Sequence, residues 1–289
     1  MIRSMTGFAR RERQGPWGTL TCELRSVNHR YLELSLRLPD DLRGLENDAR
    51  QLLSGSLRRG KVDAGVYLKG APGGAASLEI NRAVVEQVVA GAAEVGAIAG
   101  NAAATLNPLD VLRWPGVIRD TERDVTPLAA AAVELLKETA ADLNGARARE
   151  GARIREMLAQ RCESLRDLVA VVRARLPEVS ARIRARVLER VAQLGTTIDA
   201  ERLEQEIALL AYKMDVEEEL DRLGSHIAET LQVLDSKEPS GRRLDFLMQE
   251  FNREANTLSS KSQDSETTRA AVDMKVLIEQ MREQVQNVE

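Results

Sequence analysis

The chain contains two histidines, His29 and His226, and each stands in a dense polar motif. Asp215, Glu219, Arg222 and His226 are spaced 0, +4, +7 and +11, which places them on one stripe of a helix. Glu250 and Glu254, at i and i+4, share a direction on the next helix. They lie at the edge of an apolar face, where partial burial favours metal binding. Asp245, Gln249, Asn252 and Asn256 form a further polar stripe there, and Arg242 and Arg243 stand at that helix's start. Four carboxylates and an imidazole on adjacent helices could hold a hard divalent ion, which would position and activate water for attack on a phosphodiester. The plainer alternative is that i, i+4 carboxylates are solvated or ion-paired and that a lone flanking His is structural. Spacing alone leaves both readings open.

The other histidine belongs to a basic cluster. Arg25, Asn28, His29 and Arg30 gather at a break between strands, with Arg3 and Arg10 near in sequence. Two or three cations with a His can bind phosphates, although an ordinary basic turn has the same composition. Cys22 and Cys162 stand apart, outside any CxxC or Cys/His cluster, so they read as small apolar core groups. Trp17 and Trp114 read as packing residues. Gly70–Gly74 reads as a loop, and no Lys-Ser/Thr opens a helix after it, so it makes a poor P-loop.

These residues need elements to hold them. Residues 19–24, 31–38 and 62–68 alternate with period two, as half-buried strands do. Residues 44–58 read as a short helix. Three or four strands and a helix make a small mixed α/β unit. From about residue 81 the chain turns helical: an Ala/Val-rich helix over 81–99, a short one opening at Asn107-Pro108, then 126–194, rich in Ala, Leu, Glu and Arg, which predicts a long helical hairpin. Leu220, Leu223, Ile227, Leu231 and Leu234 share a helical face, and so do Leu244, Leu247, Met248, Phe251, Ala255 and Leu258. A last stripe runs from Ala270 through Met274, Ile278 and Met281 to Val288 and requires a partner surface. The fold class is therefore α+β, a small N-terminal α/β domain followed by a long helical region. The expected divisions are 1–125, 126–198 and 199–289.

Composition excludes several classes. Lys plus Arg is 41 and Asp plus Glu 45, a net charge of −4, so the chain as a whole is not a basic nucleic-acid binder. The charge is uneven, however. Residues 1–70 hold 13 cations against 8 anions, leaving an acidic remainder. Aromatic residues are 3% of the chain, which argues against base stacking as the main binding mode. No apolar run approaches the ~20 residues of a membrane span, and no signal core opens the chain. The expectation is a cytoplasmic protein with no membrane partner.

Several segments together resemble one family: Ile2–Phe8 (IRSMTGF), Glu23–Leu32 (ELRSVNHRYL), Glu218–His226 (EELDRLGSH), Gly241–Thr257 (GRRLDFLMQEFNREANT), Ser260-Lys261-Ser262 and Arg282–Glu289 (REQVQNVE). This pattern is similar to that of the YicC/YloC family of bacterial stress-related proteins. It departs at Phe251, where Met or Leu is expected, and at Gly224, where a polar residue is common. The resemblance implies an endoribonuclease acting on single-stranded or small regulatory RNA with a divalent metal, Mn²⁺ or Mg²⁺. It also implies a homo-oligomer, a hexameric ring with clamp-like helical hairpins, that meets RNA and RNA-degradation machinery. On it, His226, Glu250, Glu254 and Asp245 become the catalytic candidates, and His226, Glu250, Glu254 and Glu219 the metal ligands. Arg3, Arg25, Asn28, His29, Arg30, Arg242 and Arg243 become the RNA contacts. The competing expectation is a non-catalytic adaptor whose carboxylates are inter-subunit ion pairs and which presents RNA to another nuclease.

Overall fold

The computed structural model describes residues 2–70, 79–100, 106–119, 125–193, 199–236 and 240–289. The fold class is α+β, as expected. Strands β1 (Gly7–Gly15), β2 (Gly18–Val27), β3 (Leu32–Arg37) and β4 (Gly60–Lys69) form a sheet in the order β1-β2-β4-β3. β1 and β4 run antiparallel to β2, while β3 runs parallel to β4, joined to it through helix α1 (Glu46–Ser56). Leu20, Cys22 and Leu24 of β2 and Val62, Ala64 and Val66 of β4 bury one sheet face against Leu53 of α1 and the first turns of a long helix, α4 (Thr126–Gln193).

β1 is not legible as a strand in the sequence, for a physical reason. It is an edge strand whose positions facing α4 carry Arg11 and Arg13 in place of apolar residues. Arg11 Nε donates to Asp142 at 2.5 Å and Arg13 Nη2 to Glu138 at 2.8 Å. Inward cations on an edge strand discourage pairing with another sheet.

The small helices match expectation. In α3 (Pro108–Leu112) the Asn107 side chain caps the Leu109 N–H and Pro108 takes the first helical position. Helix α2 (Arg82–Ile98) buries none of its residues, and short strands β5 (Glu79–Ile80) and β6 (Ile118–Arg119) pair beside it. Trp17 packs against the sheet core, but Trp114 is 58% exposed, which corrects its reading as a packing residue. Ala71–Gly74 of the expected glycine-rich loop lie outside the described residues.

Residues 126–193 form one unbroken helix where the sequence pointed to a hairpin. At 68 residues α4 is roughly 100 Å long. The returning arm is α5 (Ala200–Lys213), beyond residues 194–198, and Arg184 pairs with Glu204 across the two. Pro177 costs the helix a backbone hydrogen bond and a steric clash, about 3 kcal/mol. Continuity is restored by tertiary contacts on both sides of it. Arg175 Nε donates to Asp264 at 2.7 Å, and Arg182 Nη1 donates to the same carboxylate at 3.2 Å.

The middle of α4 joins three helices in a bundle: α6 (Glu217–Asp235), α7 (Gly241–Lys261) and α8 (Ser265–Val285). The stripes expected from the sequence form its core. Leu223, Ile227, Leu247, Phe251, Met274 and Ile278 are each at most 1% exposed, and burying one such side chain contributes about 1.5–3 kcal/mol. The stripe of α8 finds its partner surface within the chain, down to Val288, which bridges to Ser4.

Asp264 also caps α8 through the Thr267 N–H at 3.0 Å. Its salt link to Arg175, with the Thr267 bonds, holds its carboxyl well below the usual carboxylate range. A depressed folded-state pKa stabilises the fold above the unfolded value near 3.9, and that stabilisation is lost as pH falls towards the folded value. Asp264→Asn can still cap the helix but loses the charge pairing. Urea unfolding at pH 7 is expected to show a loss of about 1–3 kcal/mol. The gap to the parent should narrow below about pH 4.

Gly151 lets residues 2–4 cross α4. A Cβ there would sit 2.8 Å from Arg3 Cα and press on the Ile2 carbonyl. Gly151→Ala should cost about 1–3 kcal/mol in urea unfolding. Gly145→Ala, at a helical position whose nearest neighbour is the flexible end of Arg149 at 3.4 Å, should be neutral or stabilising by up to about 1 kcal/mol.

Candidate active site on the α6–α7 seam

Helix α6 runs against α7 through Leu223, Ile227 and Phe251, and the polar edges of both helices meet along one side of this contact. His226 follows from Leu223 by one turn of α6, so it stands at the border of the buried face. Its ring meets Phe251 edge-on, with centroids 5.8 Å apart and planes at 79°. Phe251 thus sets the imidazole's orientation. Glu250 precedes Phe251 on α7, and Glu254 follows one turn later. One nitrogen of His226 and one oxygen from each of Glu250 and Glu254 all lie within 4.8 Å of one another. The three come from two helices anchored in one core, so the arrangement needs no loop to hold it.

Each carboxylate has a cation at its back. Arg222 Nη1 is 3.5 Å from Glu254 Oε1, and Arg253 Nη1 is 3.7 Å from Glu250 Oε2. Both are looser than the roughly 2.7–2.9 Å of a charge-assisted hydrogen bond, so the carboxylates keep lone pairs to offer. Glu218 and Glu254 raise the Arg222 pKa further, which keeps its charge beside the cluster. Glu254 is 3% exposed and Glu250 24%. Two carboxylate oxygens and an imidazole nitrogen in this proximity suit a divalent transition ion such as Mn²⁺ better than the oxygen-only shell Mg²⁺ prefers. The donor set therefore fits such an ion.

Two expected members stand elsewhere. Glu219, expected as a metal ligand, is buried two turns earlier on α6, and its Oε1 accepts from Lys261 Nζ at 2.9 Å. Lys261 also donates to the Asp215 carbonyl, so this is a strut between the ends of α6 and α7. Asp245, expected to be catalytic, accepts from Gln249 on another side of α7. Arg253 is new to the site, and Arg222, marked by the sequence as a member of the α6 stripe, gains its role beside Glu254. Arg253 carries the i+3 spacing to Glu250, whereas Arg222 reaches Glu254 only through tertiary packing.

The basic residues fall into two groups joined by a residue the sequence did not highlight. Arg25 lies on the open sheet face, and Asn28, His29 and Arg30 form the loop after β2, with Arg30 over the Tyr31 ring. His29 Nδ1 is 3.1 Å from the Tyr31 carbonyl, so one ring nitrogen is used locally. Arg59 Nε donates to the His29 carbonyl at 3.2 Å, and its Nη1 approaches the Gly241 position at the start of α7. Arg242 and Arg243 follow there; Arg243 pairs with Glu229 and stacks on Phe246. Arg3 is exposed on the segment that crosses α4. Gly241 and Glu250 are nine residues apart, roughly 14 Å along the helix, so basic groups lead along α7 to the cluster.

Burial pushes the Cys162 thiol up to about 12 and also raises Cys22, in keeping with apolar packing roles. Among the described residues no helix is long and apolar enough to cross a membrane.

Comparison with known proteins agrees at both ends of the chain. Residues 2–156 match a family model described as the N-terminal region of YicC-like endoribonucleases, and residues 172–289 match its C-terminal counterpart. The chain is 42% identical over 289 residues to a probable endoribonuclease YicC of Haemophilus influenzae, covering the whole of both proteins. It is 30% identical over 296 residues to a probable endoribonuclease YicC of Clostridioides difficile, again covering all of both.

Proposed function

The chain belongs to the YicC-like endoribonuclease family, and on that premise we propose that it is a divalent-metal-dependent endoribonuclease with its active site on the α6–α7 seam. The observation that carries the proposal is the convergence of His226, Glu250 and Glu254 within 4.8 Å. These three residues would hold the ion. When bound, it supplies polarisation of the scissile phosphate and a water of lowered pKa. Glu250 is the more open carboxylate, and its second oxygen accepts the proton of the attacking water as the P–O bond to the leaving ribose oxygen breaks, that oxygen taking a proton from solvent. Glu254 is buried and fixed by Arg222. The guanidiniums of Arg222 and Arg253 neutralise charge as it builds on the phosphate oxygens. Asp245 and Glu219 take no part in this scheme.

The substrate in this reading is single-stranded or small regulatory RNA, gripped through its backbone by Arg3, Arg25, Asn28, Arg30, Arg59, Arg242 and Arg243. The assembly is a homo-oligomer, a hexamer by the family resemblance, acting in the cytoplasm alongside RNA-degradation machinery. Helix α2 supports association: it buries no residue and exposes Val89, Val95 and Ile98. The adaptor reading has less support, because Glu250 and Glu254 already have partners within the chain.

Purified protein with a labelled single-stranded RNA, tested with Mn²⁺, with Mg²⁺ and with EDTA, checks the proposal. Internal cleavage with either ion and none in EDTA is the expected result, with Mn²⁺ the better activator. Cleavage in EDTA leaving 2′,3′-cyclic phosphates would replace it with histidine-driven attack by the 2′-OH. Tight binding without cleavage in any condition would favour the adaptor.

A further inference from the structure

Helix α7 presents a second polar flank, of which the reaction above uses only Arg253. Gln249, Asn252, Arg253, Asn256 and Thr257, with Arg282 of α8, wall an open cleft of about 500 Å³ floored by Met248. We propose that this cleft binds one unpaired base of the RNA next to the scissile phosphate, by its edge, and so sets where the strand is cut. The inference rests on the nuclease reading for its position in the substrate but not for the binding itself.

The chemistry of the walls points to a base. Asn256 Nδ2 donates to Asn252 Oδ1 at 2.7 Å, which locks the two amides into one unit. That leaves the amide N–H groups of Asn252 and the carbonyl of Asn256 without a hydrogen-bond partner among the described residues, a donor beside an acceptor. Such a pair matches the edge of an unpaired base, the feature by which single-stranded RNA is read. Gln249 is likewise held, by its 3.0 Å bond to Asp245. Arg282 adds donors through its exposed guanidinium end, whose pair with Glu279 is loose, at 3.7 Å. No aromatic side chain lines the cleft, so recognition there runs through hydrogen bonds at the base edge.

Placement ties the cleft to the cluster. Arg253 both lines it and lies 3.7 Å from Glu250. The two sites are opposite flanks of one helix about 10–12 Å across. A strand whose phosphate reaches Glu250 and Glu254 therefore passes over Arg253, and a neighbouring base turns into the cleft.

The test is the Asn252→Ala/Asn256→Ala double variant of the full chain, with circular dichroism and oligomeric state matched to the parent. In EDTA, fluorescence anisotropy is read for labelled oligo-A, oligo-C and oligo-U of about 12 nucleotides. The parent should favour one base by about tenfold, and the variant should reduce that spread to within about twofold. With Mn²⁺ and a randomised RNA, sequenced ends should show one position beside the cut whose base preference flattens in the variant while cleavage persists. Unchanged preference in both arms overturns the cleft and leaves the nuclease standing. A parent indifferent to base in both arms also overturns it. If the parent never cleaves, the nuclease reading fails and the anisotropy arm alone decides the cleft.

Discussion

The Glu250→Gln/Glu254→Gln double variant should lose RNA cleavage by at least about a thousandfold and keep its fold, oligomeric state and RNA affinity. The change is isosteric, so the α6–α7 packing around Phe251 persists. Two anions disappear from the cluster, leaving the His226 imidazole and two neutral amide oxygens, too weak a set to retain a divalent ion. The acceptor for the water proton disappears as well. A bound ion supplies several kcal/mol to the transition state, and a positioned base contributes about 10²–10⁴ in rate, so the combined loss exceeds either alone. Arg222 and Arg253 are meanwhile freed from their carboxylates, so affinity for the phosphate backbone should hold or rise. This separates the variant from a merely unfolded one. Mn²⁺ should raise the parent's melting temperature, as expected for an ion that binds only the folded state, and should leave the variant's unchanged. A double variant that cleaves as fast as the parent, in matched preparations, would remove the active site from this seam.

The single changes divide the roles further. Glu250→Gln should cost more in rate than in metal affinity, because Glu250 is the acceptor in the reaction scheme. Glu254→Gln should weaken metal retention first, and excess Mn²⁺ should restore part of its activity. A change at Glu219 should act on stability, through Lys261, and leave the metal dependence of cleavage as it is.

What could be read in the sequence was whatever depends on one helix at a time. The stripes of α6, α7 and α8 follow from a period of 3.6 residues, and those faces are buried as expected. Glu250 and Glu254 share a direction because i and i+4 must. His226 could be placed at the edge of a leucine face, and packing that face against Phe251 brings it to the carboxylates. Glu219 shares its stripe, but a helix advances 1.5 Å per residue, so seven residues carry it to the other end of the seam, where Lys261 waits. Asp245 fails by rotation instead: five residues before Glu250, it points well round the helix.

Features made by contacts distant in sequence were not legible. The continuity of α4 through Pro177 depends on Asp264, and β1 is a strand because Glu138 and Asp142 receive its arginines. Arg59 joins two basic groups that sequence separates by about two hundred residues. No local pattern marks any of these.

The largest such hidden contact makes the last prediction. Arg147, about a third of the way along α4, is 1% exposed. Its Nε donates to the Ser4 carbonyl at 2.6 Å, and Nη2 donates to Glu289 at 2.6 Å and to the Arg59 carbonyl at 3.2 Å. Burial pulls the guanidinium's pKa down, and Glu289 opposes it. The backbone repeats the clamp: Ser4 N–H donates to the Arg147 carbonyl, Met5 N–H to Asn287 and Glu289 N–H to Arg3. One side chain thus ties Ser4, Arg59 at the approach to β4 and Glu289 to the helix that links the sheet to the bundle, and the backbone bonds extend the clamp to neighbouring residues. Arg147→Met keeps the length and apolar stem but strands a half-buried carboxylate and two carbonyls. Breaking a buried pair from one side costs about 3–5 kcal/mol, a large part of a typical 5–15 kcal/mol stability. A fall in melting temperature of about 10 °C should follow. Adding Glu289→Gln to Arg147→Met removes the stranded charge and should restore at least about 1 kcal/mol, whereas Glu289→Gln alone should destabilise. If Arg147→Met melts within a degree or two of the parent, the clamp contributes nothing to holding the two cores together. Because Arg147 also braces the Arg59 carbonyl, the same variant should weaken RNA binding near α7 more than metal binding on the seam.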